Sequence, residues 1–92
     1  MTSPYQVFQN GRIFARNHWA ELSDEEKRRE LACFRKTGTL PIEKAHVGVW
    51  RETMTVAHNP IKKESEICLE GMAFGFHEAA DEYQKVIEKA AP

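Results

Sequence analysis

Leu69, Met72, Phe76, Ala79/Ala80, Tyr83 and Val86/Ile87 recur in three- and four-residue steps. Residues so spaced share one face of an α-helix, because about 3.6 residues make a turn. A helix is therefore expected from about Glu64 onward, after a loop at residues 59–63. Asn59-Pro60 has the character of an N-cap and first helical residue. A helix from Pro60 to Ala90 would be about 46 Å long, which is long for a chain of 92 residues. Its apolar face needs a cover, and a chain of this size has room for one two-layer core. Gly71 and Gly75, four apart, would let another element approach closely.

A second helix is marked at its start. Ser23 followed by Glu26 forms a capping box, and Asp24, Glu25 and Glu26 sit where the helix dipole favours acids. It is expected from Asp24 to about Lys36, with Arg35 and Lys36 at its C-terminal end and Gly38 as an αL stop. Leu31 and Phe34 are expected to face the core, and Lys27 and Arg28 to cover its edge.

The remainder reads as β-structure. Asn10-Gly11 separates Tyr5–Phe8 from Arg12-Ile13-Phe14-Ala15-Arg16. Asn-Gly between two such runs signals a hairpin, because a type I′ turn needs positive φ at both central residues. Strands are expected at about residues 4–9 and 12–17. Thr39–Ala45 holds Pro41 and reads as a connection. His46–His58, with Val47, Val49, Trp50, Thr53, Thr55 and Val56, reads as one strand or two bent at Gly48. The expected fold is one α+β domain over residues 1–92. A small antiparallel sheet (N-terminal hairpin plus one or two central strands) is packed by two helices, in the order ββαβ(β)α.

No apolar run nears the ~18 residues of a membrane span. Met1-Thr2-Ser3-Pro4-Tyr5 has neither the basic nor the apolar region of a signal peptide. A cytoplasmic location is expected, with Cys33 and Cys68 as buried, reduced thiols in preference to the one disulfide they could form.

Thirteen Lys+Arg oppose fourteen Asp+Glu, a net charge of −1. That excludes a uniformly basic nucleic-acid binder. The charge is uneven, however. Residues 1–20 hold Arg12 and Arg16 and no acid, whereas residues 61–92 carry seven acids against Lys62, Lys63, Lys85 and Lys89. The acid-free segment also supplies Gln9, Asn10, Asn17 and His18 among aromatics. Arg, Asn and Gln with exposed aromatics suit phosphates and unstacked bases, and equally a protein hot spot. The competing reading is a hairpin that alternates core aromatics with solvated polar residues.

No catalytic constellation emerges. His18, Cys33, His46, His58, Cys68 and His77 lack the close ligand spacing of a zinc site. His46, Asn59 and His77 are too loosely spaced for a histidine–asparagine–histidine nuclease. Cys33 and Cys68 sit beside apolar neighbours, where structural thiols are the norm. Ser3, Ser23 and Ser65 lack a nucleophile-elbow setting. Glu25/Glu26 and Asp81/Glu82 read as solvated pairs on polar helix faces. Gly71-Met72-Ala73-Phe74-Gly75 has neither the lysine nor the preceding strand of a phosphate loop. A tight helix pair for reading the major groove is missing too. A non-enzyme without metal or cofactor is expected.

The stretch Tyr5-Gln6-Val7-Phe8-Gln9-Asn10-Gly11-Arg12-Ile13-Phe14-Ala15-Arg16-Asn17-His18, in a short α+β chain without a catalytic motif, resembles small phage-encoded anti-CRISPR proteins that act on type I CRISPR-Cas surveillance complexes. The resemblance is one of size and layout over the whole chain. It implies stoichiometric binding, as a monomer, to a guide-RNA–protein complex, blocking its use of target DNA. Arg12 and Arg16 would meet phosphate or acidic side chains. Gln9, Asn10 and Asn17 would supply neutral hydrogen bonds, and the acidic last helix would meet lysines of CRISPR-Cas subunits. The partner and RNA-binding set is thus Gln9, Asn10, Arg12, Arg16, Asn17 and His18. The alternative is a homo-oligomeric structural or regulatory module that packs through Gly71 and Gly75.

Overall fold

A computed structural model describes residues 3–48 and 62–90. Four helical elements cover them: α1 (Pro4–Glu21), α2 (Asp24–Thr37), α3 (Pro41–Glu43) and α4 (Lys62–Ala90), with α3 running on into a wide π-helical turn at Lys44–Gly48. No strand occurs among the described residues. The α+β class, with its hairpin and sheet, is therefore corrected to an all-helical arrangement.

The hairpin expected at residues 4–9 and 12–17 is one continuous helix. Ser3 is its N-cap, accepting a hydrogen bond from the Gln6 amide at 3.2 Å, and Pro4 opens the first turn. Both are helix-start signals. Gly11 is helical, and among the described residues only Gly38 has positive φ, at 77°. Asn10-Gly11 therefore forms no turn. Phe8, Gly11, Ala15 and Trp19 fall in steps of three and four, and the last three are buried. A helix buries that stripe, whereas strands would have split it between two faces.

α2 matches its sequence signals. The Ser23–Glu26 capping box forms and Gly38 closes the helix in the αL conformation. Leu31 is buried, but Phe34 stays 37% exposed, packing edge-on to His77. The central strand region is corrected where it is described: His46, Val47 and Gly48 lie in the π-helical turn, and residues 49–58 lie outside the described residues. Within the loop expected at 59–63, Lys62 and Lys63 are already helical.

The core consists of Ala15 and Trp19 from α1, Leu31 from α2, Leu40, Ile42 and Val47 around α3, and Leu69, Met72, Phe76, Ala79 and Ala80 from α4. Phe76, Leu40 and Val47 are its most fully enclosed large side chains. Each contributes about 1.5–3 kcal/mol through removal from water. Tyr83 joins three helices. Its ring meets Trp19 edge-on at 6.2 Å, Lys27 lies over it, and its hydroxyl donates to Asp24 at 3.2 Å.

Glycines let α1 and α4 pack at backbone distance. A Cβ on Gly71 would stand 2.1 Å from the Phe8 carbonyl oxygen, and one on Gly11 would stand 2.1 Å from that of Cys68. The close approach expected at Gly71 and Gly75 is thus made, and α1 of the same chain makes it. The two thiols are free and half-buried rather than fully buried.

Candidate binding surface on helix α1

Successive residues of a helix point about 100° apart, which divides α1 into a core stripe, a seam against α4 and an outward ridge. The six residues read from the sequence as one interface fall on different parts of it.

Arg12 and Arg16 form the seam. Arg12 reaches Glu78 through Nε at 2.8 Å and Nη2 at 2.9 Å, a two-pronged contact with one carboxylate. Its Nη1 also donates to Gln9 at 3.2 Å, and its guanidinium lies 5.8 Å from the centre of the Phe74 ring. Arg16 donates to Glu78 at 2.6 Å and to both oxygens of Glu82, at 3.2 and 2.7 Å. The spacing explains the match: Arg12/Arg16 and Glu78/Glu82 are each four apart, so two helix faces meet as a ladder. Hydrogen bonding to Glu78 raises the affinity of Arg12 for its proton. Bonds to Glu82 and then Glu78 do the same for Arg16. The arginines expected to meet phosphate are therefore neutralised within the chain.

Glu78 and Glu82 were not legible as site residues, because the seam needs α1 to be a helix. Hydrogen bonds from Arg12, joined by those from Arg16, hold the Glu78 carboxyl below the ordinary carboxylate range despite partial burial. A lowered folded-state value stabilises the fold fully above the unfolded value of about 4.3, and the contribution is lost as pH falls through the folded value. Glu30 acts oppositely. Burial raises its carboxyl, partly countered by the Ile42 amide that it caps at 3.1 Å, so its contribution improves as pH falls. Glu78→Gln isolates the first effect. Urea midpoints of wild type and E78Q should differ most at neutral pH and converge below about pH 4; a gap that stays constant to pH 3 would exclude the coupling.

The outward ridge is Gln6, Asn10, Ile13, Asn17 and Ala20, all exposed and in steps of four and three. Gln6 donates to Asn10 at 2.9 Å. Tyr5 (72% exposed), Ile13 (52%) and Phe14 (43%) add apolar surface beside these amides. The ridge itself carries no charge. The outer face of α2 contrasts with it, presenting Glu25, Arg28, Arg29 and Lys36, with Glu25 and Arg29 paired at 3.3 Å.

His18 lies on the other edge of α1, half-buried, with its ring 4.2 Å from Phe14 and 5.0 Å from His46. Asn10 and Asn17 thus share one exposed ridge, Gln9 belongs with the seam, and His18 faces the π-helical turn. A further cleft of about 670 Å³ separates α2 from α4. It is lined by Leu31, Leu40 and Ala80 among others, and an Arg35–Gln84 hydrogen bond of 2.5 Å links its two sides.

Among the described residues no helix is long and apolar enough to cross a membrane. A scan of protein-family models and searches of curated proteins and of solved structures each return no match for this chain, so the surface is read from its own geometry.

Proposed function

We propose that this chain is a non-catalytic binding protein whose recognition surface is the outward ridge of α1. The observation that carries the reading is the exposure of Ile13 among Gln6, Asn10 and Asn17 on a ridge without charge, with Tyr5 and Phe14 exposed on its two opposite flanks. The centres of protein interfaces are depleted in charge and enriched in aromatic residues. A solvated helix face looks instead like that of α2. The partner is a protein face rather than guide RNA, because Arg12 and Arg16 already have Glu78 and Glu82 as partners. The α+β layout no longer supports the resemblance to type I anti-CRISPR proteins. Small size and the polar-aromatic character of residues 5–18 still do, and they nominate the protein subunits of a type I surveillance complex as the target to test first.

In that test, purified type I complexes are mixed with the chain, and co-elution and target-DNA binding are measured. Stoichiometric co-elution with loss of DNA binding is the expected result. Ile13→Glu should weaken the association at least about 30-fold, the scale of an interface hot spot, with unchanged circular dichroism. Absence of co-elution at micromolar concentrations removes this target, and unchanged affinity of I13E removes the ridge.

A further inference from the structure

Two imidazoles from distant parts of the chain meet where α1 faces the π-helical turn. The ring centres of His18 and His46 lie 5.0 Å apart with a 40° tilt. Both residues are half-buried, so solvent reaches them. Phe14 lies against His18, and Phe76, itself wholly buried, stacks on His46 at 5.8 Å and 23°. Glu21 places Oε2 3.9 Å from Nδ1 of His18.

We propose that His18 and His46 form a two-imidazole site for a borderline divalent metal ion of the Zn²⁺, Ni²⁺ or Cu²⁺ class. Imidazole nitrogens suit these ions. With metal–nitrogen bonds of about 2.0–2.1 Å at a tetrahedral angle, two imidazole centres end up roughly 5 Å apart. The observed separation matches that value. Phe76 limits the reorientation of the His46 ring. The Glu21 carboxylate, 3.9 Å from Nδ1 of His18, lies beyond hydrogen-bond reach and adds negative charge beside the site. Among the described residues no group of three or more His, Cys, Asp or Glu could hold a metal ion. The bound ion would tie α1 to the segment that follows α3.

Calorimetric titration of the whole chain with Zn²⁺ alone, repeated with Ni²⁺, tests this. One saturable site is expected, weakening as pH falls because the imidazoles must be neutral to bind the ion. His18→Gln and His46→Gln should each weaken binding at least tenfold, with far-UV circular dichroism checking that each variant is folded. In the wild type, the ring nitrogen resonances of His18 and His46 should shift together on addition of Zn²⁺, which does not depend on any variant folding. Lack of saturation by about 1 mM Zn²⁺, full affinity in either variant, or shifts confined to His58, His77 or the thiols would overturn the site.

Discussion

Gly71→Ala should destabilise the fold by about 3 kcal/mol, the upper end of the usual cost of overpacking. The added methyl would stand 2.1 Å from the carbonyl oxygen of Phe8, 2.9 Å from its carbon and 3.2 Å from the amide nitrogen of Arg12. All three atoms are backbone, so no side chain can turn aside and α1 has to move away from α4. That movement would also lengthen the Arg12–Glu78 contact and open the packing around Ala15. Alanine is the better helix former by about 1 kcal/mol, which offsets only part of the loss. A domain of this size has a total stability of about 5–15 kcal/mol, and its melting temperature should fall by roughly 15 °C. Gly11→Ala meets the Cys68 backbone at the same 2.1 Å and should behave alike. Gly48→Ala is the control: among the described residues its Cβ would meet only Cγ of Lys44, at an ordinary 3.6 Å. Calorimetric melting checks all three. If G71A melts within a degree or two of wild type, the close helix contact does not exist.

The same glycines explain where the sequence misleads. Hydrophobic periodicity registers large residues, so it finds Leu69 to Ile87 in α4. It passes over α1, whose buried stripe is Gly11, Ala15 and Trp19. Gly11 and Ala15 leave that stripe small because the backbone of α4, not a side chain, fills the space beside them. Asn10-Gly11 then supplies a strong local turn signal, opposed by Ser3-Pro4, a start signal that lacks the reciprocal capping box and first-turn acids of Ser23–Glu26. α2 was legible because capping is local: Ser23, Glu26 and Gly38 act within a turn of one another. The seam and the histidine pair were not legible, because Arg12 and Glu78, or His18 and His46, become neighbours only after the helices pack. Asn10 and Asn17 were identified as polar and available, and they are exposed. The misreading lay in grouping them with Arg12 and Arg16, which share a segment with them but not a face.

Arg12→Glu combined with Arg16→Glu should separate α1 from α4 rather than merely remove a binding surface. On a hairpin with free arginines this double reversal would leave the fold intact. In this seam it would replace hydrogen bonds of 2.6–3.2 Å with two new carboxylates on the helix face opposite Glu78 and Glu82. The seam lies beside the backbone contacts at Gly71 and Gly75, so the helices themselves cannot draw apart to relieve the repulsion without breaking that packing. Like charges directly opposed on packed elements destabilise by electrostatic repulsion and by lost hydrogen bonds together. The double variant should lose its cooperative thermal transition at low salt and regain part of it at high salt, because screening weakens repulsion. Adding Glu78→Arg and Glu82→Arg to the same chain should restore cooperative melting, since the ladder is rebuilt with its polarity exchanged. A double-mutant cycle over the two pairs gives the coupling free of each residue's separate effects. Cooperative melting of R12E/R16E like that of wild type, or no gain in the fourfold variant, would break the link between seam and fold. The arginines would then be free to contact an acidic or phosphate-bearing partner directly.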